Sequence, residues 1–192
     1  TLHTARFDEQ QRIRELVALS ANRAEQSVTG NGHGLAMAIA CQSLSPIASF
    51  NHHSSGMPGI QALKNLDKSL DSATNRSQLS ERLSNIHDKL LSCESQLLAI
   101  GEESQAEIIQ TDINRIWTTT QPSASNHKSL ASIRERSREL WLCNTQVNFC
   151  AKAYPTVCSA HPDAAALTVL GGVLRNGYLH TAIREQGGAY GG

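Results

Sequence analysis

The residues best suited to chemistry lie in the last part of the chain. Asn176-Gly177-Tyr178-Leu179-His180-Thr181-Ala182-Ile183-Arg184-Glu185-Gln186-Gly187-Gly188-Ala189-Tyr190-Gly191-Gly192 reads as a helix closing at a glycine pair, then an aromatic. Arg184 falls in the last helical turn, where the helix dipole favours a cation, and Tyr190 follows six residues later across the turn. A guanidinium beside a phenol makes a group of donors suited to a peptide carbonyl or an oxyanion. Taken alone the pairing is weak, because Arg at a helix C-terminus is commonly a surface charge and Tyr commonly core.

Other chemistries find less support. Eight histidines invite a metal reading, but a catalytic zinc needs three protein ligands within tetrahedral reach. Neither H-E-x-x-H nor its inversion H-x-x-E-H occurs. His52 and His53 are adjacent and so point in different directions, and they read as loop histidines; His33 reads as a turn residue. No zinc is expected to bind this chain. There is no Gly-x-Ser-x-Gly elbow, and Gly171-Gly172 lies inside a helical pattern without phosphate-loop or dinucleotide spacing, so close helix packing is the expected reason for it.

Helices must position these residues. The spacing predicts helices over 8–27 (Ile13, Leu16, Val17, Ser20 and Ala24 inward), about 34–43, 58–71, and one capped by Ser77 carrying Leu79, Leu83, Ile86 and Leu90. Thr29-Gly30-Asn31-Gly32 separates the first two, and residues 44–59 read as a connection. Cys93 to Ile100 reads as a buried strand, 104–117 as a helix and 118–129 as a loop, while Leu140 and Trp141 offer the start of a strand. From Gln146 to Tyr154 apolar and polar residues alternate, the pattern of a half-buried strand. After Pro155, His161-Pro162-Asp163 opens a long apolar helix to about Gln186, expected to be buried against a sheet and ended by Gly187-Gly188. The expected fold class is therefore α/β (α+β layered): a helical layer followed by the start of a sheet-plus-helices domain, beginning near residue 92.

Composition sets outer bounds. Lys plus Arg equals Asp plus Glu at 17 each, which gives no reason to expect nucleic acid or an anionic membrane as partner. No apolar run reaches the ~20 residues that span a bilayer. Both ends read as cut, so the chain is expected to be an incomplete piece.

The terminal Arg184–Gly187-Gly188-Ala189-Tyr190-Gly191 stretch resembles a segment from the C-terminal half of pitrilysin/insulinase-type zinc metallopeptidases, in the presequence-protease branch. The six-residue spacing matches that branch. Ala5-Arg6-Phe7-Asp8-Glu9, Gln26-Ser27-Val28-Thr29-Gly30-Asn31-Gly32-His33, Ser55-Gly56-Met57-Pro58-Gly59-Ile60 and Gln146-Val147-Asn148-Phe149 are similar as well, whereas 102–138 match only in pattern. The resemblance implies a zinc endopeptidase that degrades short unstructured peptides in a closed chamber. Zinc and its ligands would lie in the N-terminal half of the same enzyme, the partner of this piece. Residues 1–91 would be the helical end of the third domain and 92–192 the front of the fourth. Arg184 and Tyr190 would hold the substrate backbone and stabilise the oxyanion, and this piece alone would be inactive. A non-catalytic scaffolding relative and a helical partner-binding module are the alternative readings.

Cys41, Cys93, Cys143, Cys150 and Cys158 are odd in number and show no C-x-x-C spacing, which implies buried or half-buried reduced thiols. A reducing compartment is expected, with the bacterial cytoplasm, mitochondrion and plastid all compatible. Mass measurement after thiol labelling is expected to find free cysteines in protein isolated under native reducing conditions; two reproducible bridges would reverse this reading.

Overall fold

The computed structural model describes residues 4–93, 98–116 and 135–189, in two compact units divided between Lys152 and Ala153. In the first unit, α1 (Gln10–Gly30), α2 (Gly32–Cys41), α3 (Pro46–Ser55), α4 (Met57–Ser69) and α5 (Ala73–Leu91) follow one another closely. A short 3₁₀ turn, Glu103–Gln105, then leads into α6 (Ala106–Ile116). The second unit holds α7 (Ala164–Leu174), which continues as a π-helix, Arg175–Gln186.

The first unit is organised by α1 lying along α4, with α3 also on α4, α2 on α3 and α5 on α1. Its fully buried apolar side chains are Ala21 of α1, Leu35 of α2, Ile60 of α4 and Leu70, just beyond α4. On α1 the covered stripe runs Ile13, Val17, Ala21 and Ala24. The expected stripe was rotated by about one residue: Leu16 is 46% exposed, and Ser20 turns its hydroxyl back to the Leu16 carbonyl. Polar links fasten the seams, with Lys64 of α4 bonded to Glu25 of α1, Arg14 of α1 to Asp71, and Gln10 of α1 to Ser77 of α5. Ser77 is thus a cross-helix partner rather than the cap of α5, which starts four residues earlier behind Ser72. The turn between α4 and α5 is closed by side chains. Arg76 donates to the Leu70 and Asp71 carbonyls at 2.7 and 2.9 Å, and Asn75 donates to that of Ser69 at 2.8 Å. These bonds satisfy carbonyls that the end of α4 leaves without helical partners.

The expected connection 44–59 is instead mostly helix. Ser45 accepts a hydrogen bond from the Ala48 amide at 3.1 Å and Pro46 occupies the first turn, so this Ser-Pro pair starts α3 rather than a loop. The corner into α4 depends on two glycines. A Cβ on Gly59 would lie 2.2 Å from the Ser54 carbonyl oxygen, and one on Gly56 would lie 2.4 Å from that of His52. Gly32 makes a third close approach. Its missing side chain leaves the slot filled by the Phe149 ring, 2.2 Å from where a Cβ would stand.

The α/β expectation is overturned. Among the described residues there is no strand and no sheet. The alternating run Gln146–Tyr154 is extended but unpaired, with Val147 56% exposed, and Leu140 and Trp141 likewise begin no strand. Alternation selects two faces, but a strand exists only when neighbouring backbone takes up its amides and carbonyls. Part of the predicted 93–100 strand lies outside the described residues; Leu98 and Ile100, its described end, are 87% and 91% exposed. The predicted loop 118–129 lies outside them as well. In the second unit no residue of α7 or the π-helix is buried, so the expected burial of this helix against a sheet is absent. Cys41 is half-buried as expected, whereas Cys93, Cys143, Cys150 and Cys158 are exposed; all five are free thiols.

Gly32→Ala is expected to drive the Phe149 ring from its slot and to destabilise the first unit by roughly 1–3 kcal/mol, the usual cost of overpacking. With Phe149→Ala already in place, the same change should cost much less. Thermal denaturation of the single and double variants measures this coupling, and additive effects would show that the ring does not depend on the glycine.

Candidate functional site

The terminal segment is built from α7 onward. His161-Pro162-Asp163 precedes the helix as expected, but the first helical residue is Ala164, so Pro162 stays outside it. The Asp163 amide donates to His161 Nδ1 at 3.2 Å, and the Asp163 carboxylate makes no cap hydrogen bond. The apolar run then rises through Leu167, Leu170, Val173 and Leu174 into the π-helical stretch, where His180 and Glu185 pair at 3.2 Å. Gly171, Gly172 and Gly177 have nothing described within 4 Å of where a Cβ would stand. The helix-packing role expected of Gly171-Gly172 is therefore not seen among the described residues.

The end of this helix matches the sequence reading closely. The Ala189 amide returns to the Ile183 carbonyl at 3.1 Å, and Gly188 adopts φ +71°, the left-handed conformation that glycine enters without a Cβ clash. A Cβ on Gly187 would sit 2.6 Å from the same Ile183 carbonyl oxygen. Arg184 stands in this last turn, exposed, with no ion pair among the described residues. Tyr190 lies outside the described residues, so its position relative to Arg184 is not described.

The histidines are placed differently from the expectation. His33 is in the first turn of α2, and His52 and His53 are on α3, not in a loop. The His53 ring nitrogen Nδ1 lies 2.8 Å from the Ser49 carbonyl one turn back. His52 is 1% exposed, and its Nε2 lies 3.9 Å from a carboxylate oxygen of Glu139. That carboxylate also accepts from the Trp141 indole at 3.1 Å and from the Gln42 amide. Burial works to raise the Glu139 carboxyl, but the Trp141 and Gln42 hydrogen bonds, aided by His52 and His53, hold it below its ordinary value. The polar neighbourhood of His52 escaped the sequence reading because its carboxylate comes from a segment 87 residues further along. Among the described residues no three His, Cys, Asp or Glu side chains converge as metal ligands, so these residues do not fit a zinc site.

The family described as the associated region of M16 peptidases, subfamily C, matches residues 1–66, the stretch running from the approach to α1 into α4. Mitochondrial presequence proteases match nearly all of the chain. That of Danio rerio is 26% identical over 99% of this chain and 21% of its own length. That of Emericella nidulans is 30% identical over 93% and 18%, and that of Kluyveromyces lactis 26% identical over 95% and 19%. The chain belongs to the presequence-protease branch of the M16 peptidase family. It spans about a fifth of the length of these curated relatives. No solved structure matches it. The branch reached from the Arg184–Tyr190 spacing and the α1–α4 stretches is thus the branch of the matched relatives, while the roles of Arg184 and Tyr190 are a separate question.

Two glycine substitutions distinguish the helix interior from its end. Gly177→Ala is expected to raise helicity by about 0.8–1 kcal/mol, since the added methyl meets open space. Gly188→Ala should fray the last turn at a cost of about 1–2 kcal/mol, because its φ is left-handed. Circular dichroism through thermal melts compares them; a loss of helix in Gly177→Ala would mean that something packs against that position.

Proposed function

We propose that this chain belongs to a zinc-dependent endopeptidase and serves substrate binding rather than the metal. In this reading the parent degrades short unstructured peptides inside a closed chamber, and the relatives' name points to presequence peptides. Zinc and its ligands lie in the N-terminal half of the same enzyme, the partner of this piece. The piece alone is inactive, and the compartment is reducing, with the mitochondrion favoured by the relatives' name.

Arg184 and Tyr190 carry the chemistry assigned here. The guanidinium anchors a substrate carbonyl, and the phenol donates a hydrogen bond to the carbonyl oxygen as it takes on negative charge. Such a donor contributes most in the transition state, where that charge is largest. The observation that carries the reading is Arg184 itself. It is an exposed cation in the final helical turn, unengaged by any ion pair among the described residues, and it stands just before the Gly187-Gly188 turn that sends the chain toward Tyr190. A charge kept out of structural ion pairs is available to a ligand.

In the full-length parent, Tyr190→Phe should lower turnover about 10²–10³-fold, or roughly 3–4 kcal/mol, the usual loss for one oxyanion donor. Arg184→Ala should also raise KM, because the guanidinium holds the ground-state peptide. Zinc content and Tm should barely move in either variant. Near-wild-type kcat/KM for both on an unstructured peptide would remove the assignment.

A further inference from the structure

The His52 ring takes no part in the proposed peptide chemistry, yet it is the most deeply buried polar side chain among the described residues. Its Nδ1 is buried and has no hydrogen-bond partner. Gly56 closes over that side of the ring, where even a Cβ would come within 2.8 Å of Nδ1. On its other side Nε2 looks toward Glu139, at a distance too long for a hydrogen bond. Glu139 belongs to the extended segment 135–143, and through Gln42 it ties that segment to the C-terminal end of α2.

We propose that His52 is a proton-sensitive catch: neutral, it seats α3 and the Glu139 segment together, and on mild acidification it loosens both.

The reason is an imbalance between the two nitrogens. A neutral ring with its proton on Nε2 directs that N–H toward Glu139 and leaves a bare lone pair on Nδ1, the least costly buried arrangement. An imidazolium carries N–H groups on both nitrogens. Its Nδ1–H would have no acceptor, and a buried donor without a partner costs the full desolvation of that group. To be hydrated the charged ring must leave its place beneath Gly56, and that opens the corner between α3 and α4. Burial accordingly depresses the His52 pKa, against the pull of Glu139 and with the help of His53. The sign follows from linkage. A folded-state value below the unfolded one gives stability that is present above the ordinary histidine range, near ~6.5. That stability is lost as pH falls toward the lowered value. The other titratable groups on the surrounding elements are His33 and Cys41 at the two ends of α2, and Lys64, Asp67 and Lys68 on α4, with Lys64 engaged by Glu25. The segment itself adds Glu135, Arg136 and Arg138.

Amide hydrogen exchange of the intact protein, read by mass spectrometry and corrected for the intrinsic pH dependence of exchange, tests the catch between pH 7.5 and 5.5. Peptides covering α3 and 135–143 are expected to lose protection several-fold on acidification, while α5 keeps its own. His52→Gln should abolish that pH dependence. Glu139→Gln, which removes the charge that favours the imidazolium, should make the acid loss on α3 larger. Protection on α3 that stays level or rises on acidification overturns the proposal, as does a pH response that survives His52→Gln. Should His52→Gln fail to fold, Glu139→Gln still decides: an acid loss on α3 no larger than in the wild type overturns it.

Discussion

The first unit depends on how closely backbone can approach backbone at the corner between α3 and α4. Gly59 places the start of α4 against the carbonyl of Ser54, and Gly56 does the same at the carbonyl of His52. With any side chain at either position the two helices would have to move apart. Ile60 follows immediately and is buried; α1 then lies along α4 and brings in Ala21. The polar bonds from Lys64 to Glu25 and from Arg14 to Asp71 sit on exposed surface, where an ion pair adds little. They trim a register already set by glycine and aliphatic contacts.

Much of this was legible because helical signals are local. Ile60, Leu63, Leu66 and Leu70 repeat at helical spacing, and α4 appears within two residues of the predicted bounds. The Gly187-Gly188 stop is local too, and Gly188 takes the positive φ that its type permits. The miss at α3 came from reading serine, histidine and proline by composition rather than position. Ser45 followed by Pro46 is a helix-start signal, because the hydroxyl caps an amide three residues on and proline needs no amide partner there. Ser77, by contrast, is a good cap in type but sits in the interior of α5, where its hydroxyl serves Gln10 instead.

Non-local structure was not legible in the same way. Alternation from Gln146 to Tyr154 sorts side chains onto two faces, yet hydrogen-bond partners for the backbone must come from elsewhere, and none pairs with it among the described residues. The one ring in that run with a defined seat, Phe149, owes it to a glycine 117 residues away. Nothing in either local pattern announces that pairing. The neighbourhood of His52 is a similar case, since its carboxylate and indole arrive from 139 and 141. The α7 run was read as buried because it is apolar nearly all round. Hydrophobicity states what a helix prefers, whereas burial requires an opposing surface, and the described residues supply none.

Family and chemistry therefore rest on different parts of the chain. The family match over residues 1–66 falls on the α1–α4 region, where the helices interlock through glycine corners and a few buried aliphatics. Those features explain why the sequence there is constrained, and they involve no group that could act on a peptide bond. The candidate chemistry sits in the second unit, on an exposed guanidinium ahead of a glycine turn. Membership of the presequence-protease branch would stand even if Arg184 proved to be only a surface charge. Conversely, a catalytic role for Arg184 and Tyr190 requires more than membership, because an oxyanion donor is defined by where it points when the carbonyl becomes tetrahedral. The Gly188 turn sets the direction in which the chain leaves the helix, so it is the local feature on which any approach of the phenol to the guanidinium depends.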